Sequence, residues 1–218
     1  MNFDFSDAVN AKESGSRLTP GIKDATFEGV EFANVTSQKT GDAFKTLVLK
    51  VNIDGYGPYQ QNFFEPQSAE RQEMQWGKSA SPLDHFKITV MEILEAICPE
   101  VAAEINAGTK KLTGNFKQIV DAIVTYTKPH IGKKTQIKLI PGRDNYCNMP
   151  SFTARIDRNG NLGIATRIIG DNLTLTSSEV KKIENAATAK PTNMATSTAD
   201  VVSAMATDLE DPDSDLPF

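Results

Sequence analysis

"KDATFEGVEFANV", residues 23–35, and "FKTLVLKVNIDG", residues 44–55, decide the fold. In the second stretch Leu47, Leu49, Val51 and Ile53 alternate with Lys50 and Asn52, the period of two that a strand shows when one face is buried. In the first, the apolar phase runs through Ala25 and Phe27 and then jumps to Val30 and Phe32 across Gly29. A phase change of one residue at a glycine predicts a β-bulge. "TSQKTGDA" between them supplies turn residues, so the two stretches read as one long antiparallel hairpin. "PYQQNFFEP", ending at Pro66, predicts a third, shorter strand.

Helical spacing then takes over. "SPLDHFKITVMEILEAICP" offers Ser81 as N-cap, Pro82 at the first helical position, Asp84 in the first turn and apolar residues at 83, 86, 90, 94 and 97, before Pro99 interrupts. A second helical piece is expected from Pro99 to about Gly108, and a third in "NFKQIVDAIVTYTKP", with Phe116, Ile119, Val120 and Ile123 on one face. Strands return in "KKTQIKLIPG", where Ile137 and Leu139 should face inward and Lys134, Gln136 and Lys138 outward. "SFTARIDRNGNLGIATRIIG" has two arms about Asn159-Gly160, the strongest short hairpin signal in the chain. "TSSEVKKIENAA" reads as a short amphipathic helix with Thr176 and Glu179 as a capping box.

Three strands, a helical block over 81–128, then a strand and a hairpin predict a mainly β protein with a helical insertion: an OB-fold-like Greek-key barrel. The expected organisation is a flexible N-terminal arm over 1–20, the barrel domain over 21–187, and a disordered linker with an acidic tip over 188–218. In that last segment Ala, Thr, Ser, Pro and Asp dominate and cannot bury enough apolar area to offset chain entropy.

The 218 residues are enough for one domain with a sizeable core, and 39% hydrophobic with 23% charged residues is ordinary for a globular chain. Cys98 and Cys147 are the only cysteines, so a reducing compartment is expected. The opening "MNFDFSDAVN" lacks the features of a signal peptide, and no stretch reaches membrane-spanning length. These readings predict a cytoplasmic protein without a membrane partner. Charge is divided unevenly. Residues 1–190 hold 23 bases against 22 acids, residues 191–218 hold six acids and no base, and residues 109–170 carry eleven bases against three acids. Such asymmetry predicts a basic surface and a separate acidic tail.

The tail ends Asp213, Ser214, Asp215, Leu216, Pro217, Phe218, preceded by Asp211 and Pro212. It resembles the acidic D-D-D-I-P-F tip of bacterial single-stranded DNA-binding proteins and many phage counterparts. Four of the six positions are identical, Leu216 is a close swap for isoleucine, and Ser214 departs by one charge. The resemblance implies a protein that coats single-stranded DNA during replication, recombination and repair, and a tip that recruits a polymerase, helicase, primase or recombinase. It would make the cytoplasm that of a bacterial host if the protein is phage-encoded. Physics gives the tip the same use: a terminal ring enters an apolar pocket, its α-carboxylate meets a base, and the preceding Asp211, Asp213 and Asp215 steer it. The tail is also expected to compete weakly with DNA for the basic surface, so that deleting 208–218 would tighten binding at low salt.

Sequence-independent binding of single strands needs cations along the backbone and flat side chains for bases to stack on. Tyr56, Tyr59, Arg71, Trp76 and Lys78 form one candidate group, and Lys133, Lys134, Lys138, Arg143, Tyr146, Arg155 and Arg158 another. Phe27, Phe32, Phe86 and Phe116 sit at strand or helix spacing and are expected in the core, as is Phe152. No phosphate-cradling glycine loop or dinucleotide fingerprint occurs. His85, Cys98, His130 and Cys147, spaced by 13, 32 and 17, match no metal-ligand pattern. Carboxylates are scattered, so neither a cofactor, a metal nor an enzymatic reaction is expected. Two alternatives stand beside DNA coating: an adaptor or decoy that docks into host replication or repair proteins through the tip without touching DNA, and, less favoured, a nuclease. A second copy of the chain is a further candidate partner.

Overall fold

The computed structural model describes residues 18–36, 40–71, 73–74, 77–142, 146–150, 154–156, 162–164 and 167–188. Three long strands come first: β1 (Gly21–Thr36), β2 (Ala43–Ile53) and β3 (Gly57–Phe64). Two short strands, β4 (Glu73–Met74) and β5 (Gly77–Lys78), pair with each other. Three helices follow, α1 (Pro82–Ile97), α2 (Pro99–Asn106) and α3 (Phe116–Thr127), with a 3-10 turn at Lys128–His130. Then come β6 (Lys134–Pro141), β7 (Cys147–Asn148), the hairpin of β8 (Ala154–Ile156) and β9 (Leu162–Ile164), β10 (Ile169–Gly170) and α4 (Ser177–Thr188).

The protein is mainly β, built on an antiparallel sheet in the order β10-β6-β1-β2-β3, with β7 attached to β6. β1 serves two partners. Its first residues, Gly21–Thr26, pair with β6, and Ala25–Thr36 pair with β2. The register slips between Phe27, opposite Val51, and Gly29, opposite Lys50. Gly29 holds φ of +142°, open to glycine and strained for any other residue, which is why the bulge falls there.

The apolar phase on either side of the bulge points one way. Phe27, Leu47, Leu49, Val51 and Ile53 from the hairpin meet Ile137 and Leu139 of β6, Val90, Ile93, Leu94 and Ile97 of α1, and Val120 and Ile123 of α3. Each such side chain withdrawn from water contributes about 1.5–3 kcal/mol. Phe116 stands between Phe86, 5.1 Å away, and Phe32, 6.3 Å away, and so fastens α3 to both α1 and β1. Three capping boxes set the helix starts. The Ser81 hydroxyl accepts from the Asp84 N–H and the Asp84 carboxylate from the Ser81 N–H; Asn115 with Gln118 and Thr176 with Glu179 do the same for α3 and α4.

The ends of the sheet path, β3 and β10, do not pair with each other among the described residues, yet hydrogen bonds through side chains bridge toward β3. The Tyr59 hydroxyl donates to Gln61 Oε1 at 2.8 Å and approaches the Cys147 carbonyl at 3.4 Å, while the Met149 N–H donates to Gln61 Oε1 at 3.2 Å. The segment after β6 thus reaches across the interior to the far strand. No helix among the described residues is long and apolar enough to cross a membrane. Residues 1–17 of the expected arm over 1–20, the Asn159-Gly160 turn, Phe152 and the tail from 189 lie outside the described residues.

Candidate nucleic-acid interface

Four of the expected DNA contacts turn out to be occupied within the fold. Lys138, expected on the outer face of β6, is 1% exposed, and its Nζ lies 3.1 Å from Glu179 Oε2. The alternation in "KKTQIKLIPG" is real, but α4 covers the second face of the strand, so both faces are interior there. Tyr59 points inward, and burial raises its phenol above the ordinary range, so it is no platform for a base. Lys133 donates to the carbonyls of Ala96 at 2.8 Å and Ile97 at 3.1 Å, the orphan acceptors at the end of α1. Arg71 donates through Nε to Asp84 Oδ2 at 2.7 Å, and that bond is the main reason the Asp84 carboxyl is held down to about 2.

The basic segment is also less basic in space than along the chain. Lys110 pairs with Glu104, Lys117 with Asp121, Lys134 with Asp54, Lys138 with Glu179 and Arg167 with Glu95. All of these acids except Asp121 come from outside residues 109–170, where a count along the sequence does not see them.

Two tyrosines remain open. Tyr56 and Tyr146, 36% and 46% exposed, are the only large aromatic side chains exposed among the described residues. Tyr56 sits in the β2–β3 turn, where its N–H donates to the Ile53 carbonyl and Gly55 and Gly57 on either side hold φ of +79° and +92°. This left-handed pair turns the ring outward without strain. Its hydroxyl lies 3.1 Å from Thr19 Oγ1, and Lys23 Nζ stands 5.0 Å from the ring centroid while donating to the same Thr19 oxygen at 2.8 Å. The Thr19 hydrogen bond, and after it the Lys23 charge, lower the pKa of the phenol from its ordinary value.

Tyr146 is joined to this group through its neighbour. Cys147 Sγ donates to the Leu18 carbonyl at 3.3 Å, next to Thr19, and the Tyr146 carbonyl accepts from the Gly142 N–H at 2.6 Å. Lys134, whose side chain is 70% exposed, is bound to Asp54 at 3.2 Å, two residues before Tyr56. An exposed pair of this kind contributes about 0–1 kcal/mol, so the ammonium can be drawn to another anion. Sequence reasoning missed Lys23; its signal was a cation two residues into β1, legible only once the turn carrying Tyr56 is placed beside it. A nearby depression of about 380 Å³, lined by Asp24, Asp54, Asp171, Lys134, Thr135, Gln136 and Asn172, is dominated by carboxylates and is a poor seat for phosphate.

Lys78 and Arg155 lie on β5 and β8. Trp76, Arg143, Arg158 and the tip residues Asp211, Asp213, Asp215, Leu216, Pro217 and Phe218 lie outside the described residues. Among the described residues no cluster of three or more His, Cys, Asp or Glu is arranged to hold a metal.

One buried group had no sequence signal. Glu92, on α1, is 2% exposed; its Oε2 accepts from the Ile168 N–H at 3.3 Å, and its Oε1 has no partner among the described residues. Burial pushes its carboxyl up to about 8.

Comparison with protein-family models, curated proteins and solved structures finds no match to this chain.

Proposed function

We propose that the protein binds single-stranded DNA without sequence preference and uses its acidic tail to recruit other proteins. The carrying observation is the open tyrosine pair: Tyr56, backed on one side by Lys23, and Tyr146, tied to it through Cys147 and Leu18. A ring with one face open and a cation behind it suits a stacked base with its phosphate nearby. Lys134 supplies a second cation that a phosphate can take from Asp54. The Leu216-Pro217-Phe218 motif supports the recruiting role through its resemblance to the tip of single-stranded DNA-binding proteins.

We read the sheet as an OB-type barrel. Support comes from a bulged β1 shared between β2 and β6, a helical block between the third long strand and β6, and the reach of Cys147–Met149 to Tyr59 and Gln61. In such barrels the strand face and the adjoining loops bind single strands, and Tyr56 and Tyr146 occupy such loops.

Fluorescence anisotropy with labelled oligo(dT) tests the reading. Tyr56→Ala and Tyr146→Ala should each weaken binding by about 5- to 150-fold, the equivalent of about 1–3 kcal/mol per stacked base. Affinity should also fall steeply with salt. If both variants bind like the parent, the tyrosine pair is not the site; if the parent ignores oligo(dT) in dilute buffer, the function is wrong. The acid partners of Lys110, Lys117, Lys134 and Arg167 favour a second reading, an adaptor that acts through its tip alone. Failure to bind DNA at low salt, with retained capture of a replication protein, would select it.

A further inference from the structure

Among the described residues β3 is an outer strand of the sheet, and nothing there pairs with its free edge. Just past its end the Glu65 N–H donates to the Lys45 carbonyl at 2.8 Å. With Leu47 opposite Phe63, Leu49 opposite Gln61 and Val51 opposite Tyr59, the odd-numbered residues therefore direct their main-chain groups to β2. Gln60, Asn62 and Phe64 direct theirs away from the sheet. Among the described residues none of these three N–H groups is hydrogen-bonded, and of the carbonyls only that of Asn62 takes a bond, from Gln61 Nε2 at 3.3 Å, which leaves a lone pair. Pro58 has no N–H and ends the run.

Soluble proteins blunt such edges with charges, bulges or a covering segment. Here Gly57–Phe64 contains no Asp, Glu, Lys or Arg, and its ladder with β2 shows no register shift. On the outer face Asn62 lies beside Val48, itself 3% exposed, and the neighbouring Lys50 and Glu31 neutralise each other at 2.7 Å.

We propose that β3 pairs antiparallel with β3 of a second copy of this chain, about a twofold axis at Asn62. In that register Asn62 faces Asn62 of the other copy and Gln60 faces Phe64, so the three free N–H groups and three carbonyls of each edge satisfy one another. On the axis Asn62 meets its own counterpart, so a charge there would meet a like charge, and the absence of charge along Gly57–Phe64 leaves nothing to repel a second copy. A nucleic acid offers no matching ladder of N–H and C=O groups.

Sedimentation equilibrium on the full chain provides the first test: the mass should climb from 23.8 kDa toward twice that value as concentration rises. Asn62→Pro, which deletes the central donor, should remain a single chain where the parent is half dimer. Residues directly opposed in a hydrogen-bonded pair have Cα atoms about 5.5 Å apart, within disulfide reach. Mild oxidation should therefore join Asn62→Cys into covalent dimers, while Gln60→Cys, which faces Phe64, should not join. Should Asn62→Pro fail to fold by circular dichroism, the cysteine pair decides. A parent that stays single at every concentration, a dimer that Asn62→Pro leaves intact, or equal cross-linking of the two cysteine variants would each overturn the proposal.

Discussion

Replacing Glu92 with glutamine removes one ionisable group from the seam where α1 meets the segment leading into β10, and burial sets the direction of the effect. The carboxyl titrates near 4.5 when solvated and is pushed up to about 8 in the fold. The folded state holds the proton more tightly, so this group's contribution is intact below about pH 4.5 and is lost as pH rises through 8. At about 1.4 kcal/mol per unit, the loss between pH 5 and pH 8.5 is on the order of 4 kcal/mol. Glutamine keeps an acceptor for the Ile168 N–H and carries no charge. Its amide takes the place of the protonated carboxyl, whose Oε1 already has no hydrogen-bond partner among the described residues, so the two are near equivalents at pH 5. Glu92→Gln should therefore melt close to the parent at pH 5 and above it at pH 8.5. The melting-temperature difference should swing by on the order of 10 °C, taking about 2–4 °C per kcal/mol for a chain of this size. Thermal melts of both proteins at matched ionic strength across that range provide the assay. Melting temperatures that run parallel from pH 5 to 8.5 would refute the reasoning, because a constant gap means that Glu92 does not titrate differently on folding.

Removing one member of the buried Lys138–Glu179 pair should be severe: Glu179→Ala leaves a buried ammonium and strips the α4 cap, at a cost of about 3–5 kcal/mol in urea unfolding. The joint change Lys138→Met with Glu179→Leu should recover most of that loss, and its affinity for oligo(dT) should match the parent's; a drop in affinity would return Lys138 to the DNA contacts. Asp84→Asn should cost about 2 kcal/mol at pH 7, since the Arg71 bond keeps this carboxyl at about 2 against an ordinary 3.8. That contribution is present above about pH 4 and lost as pH falls through 2, so urea unfolding of variant and parent should converge in acid; a gap that persists there would exclude the charge as its cause.

The hairpin was legible because each strand shows one buried face, and the bulge because a single glycine broke the phase. Helix starts were legible at Ser81 and Thr176, where a short polar side chain is followed three residues later by an acid. What could not be read was the second face. An alternating strand implies solvent opposite the core, and nothing in "KKTQIKLIPG" says that α4, some forty residues on, will cover Lys138. Lys133 looked like a surface cation because the carbonyls it satisfies carry no side-chain signature. Tyr59 and Tyr56, three residues apart, looked equivalent, and only the turn between strands sends one ring inward and the other out. Glu92 is invisible for a related reason: α1 is buried along more than one face, so a polar residue on its flank does not mark solvent.

The double duty of β1 has a consequence for how the chain is made. Its outer half can zip onto β2 as soon as both have left the ribosome, but Gly21 must wait for Leu139 and Thr26 for Lys134. Through the whole synthesis of the three helices, the edge of Gly21–Thr26 that will join β6 therefore stands open to solvent, and a pause in translation anywhere before β6 prolongs that exposure. Slow codons ahead of residue 134 would threaten the yield of native protein more than slow codons after it.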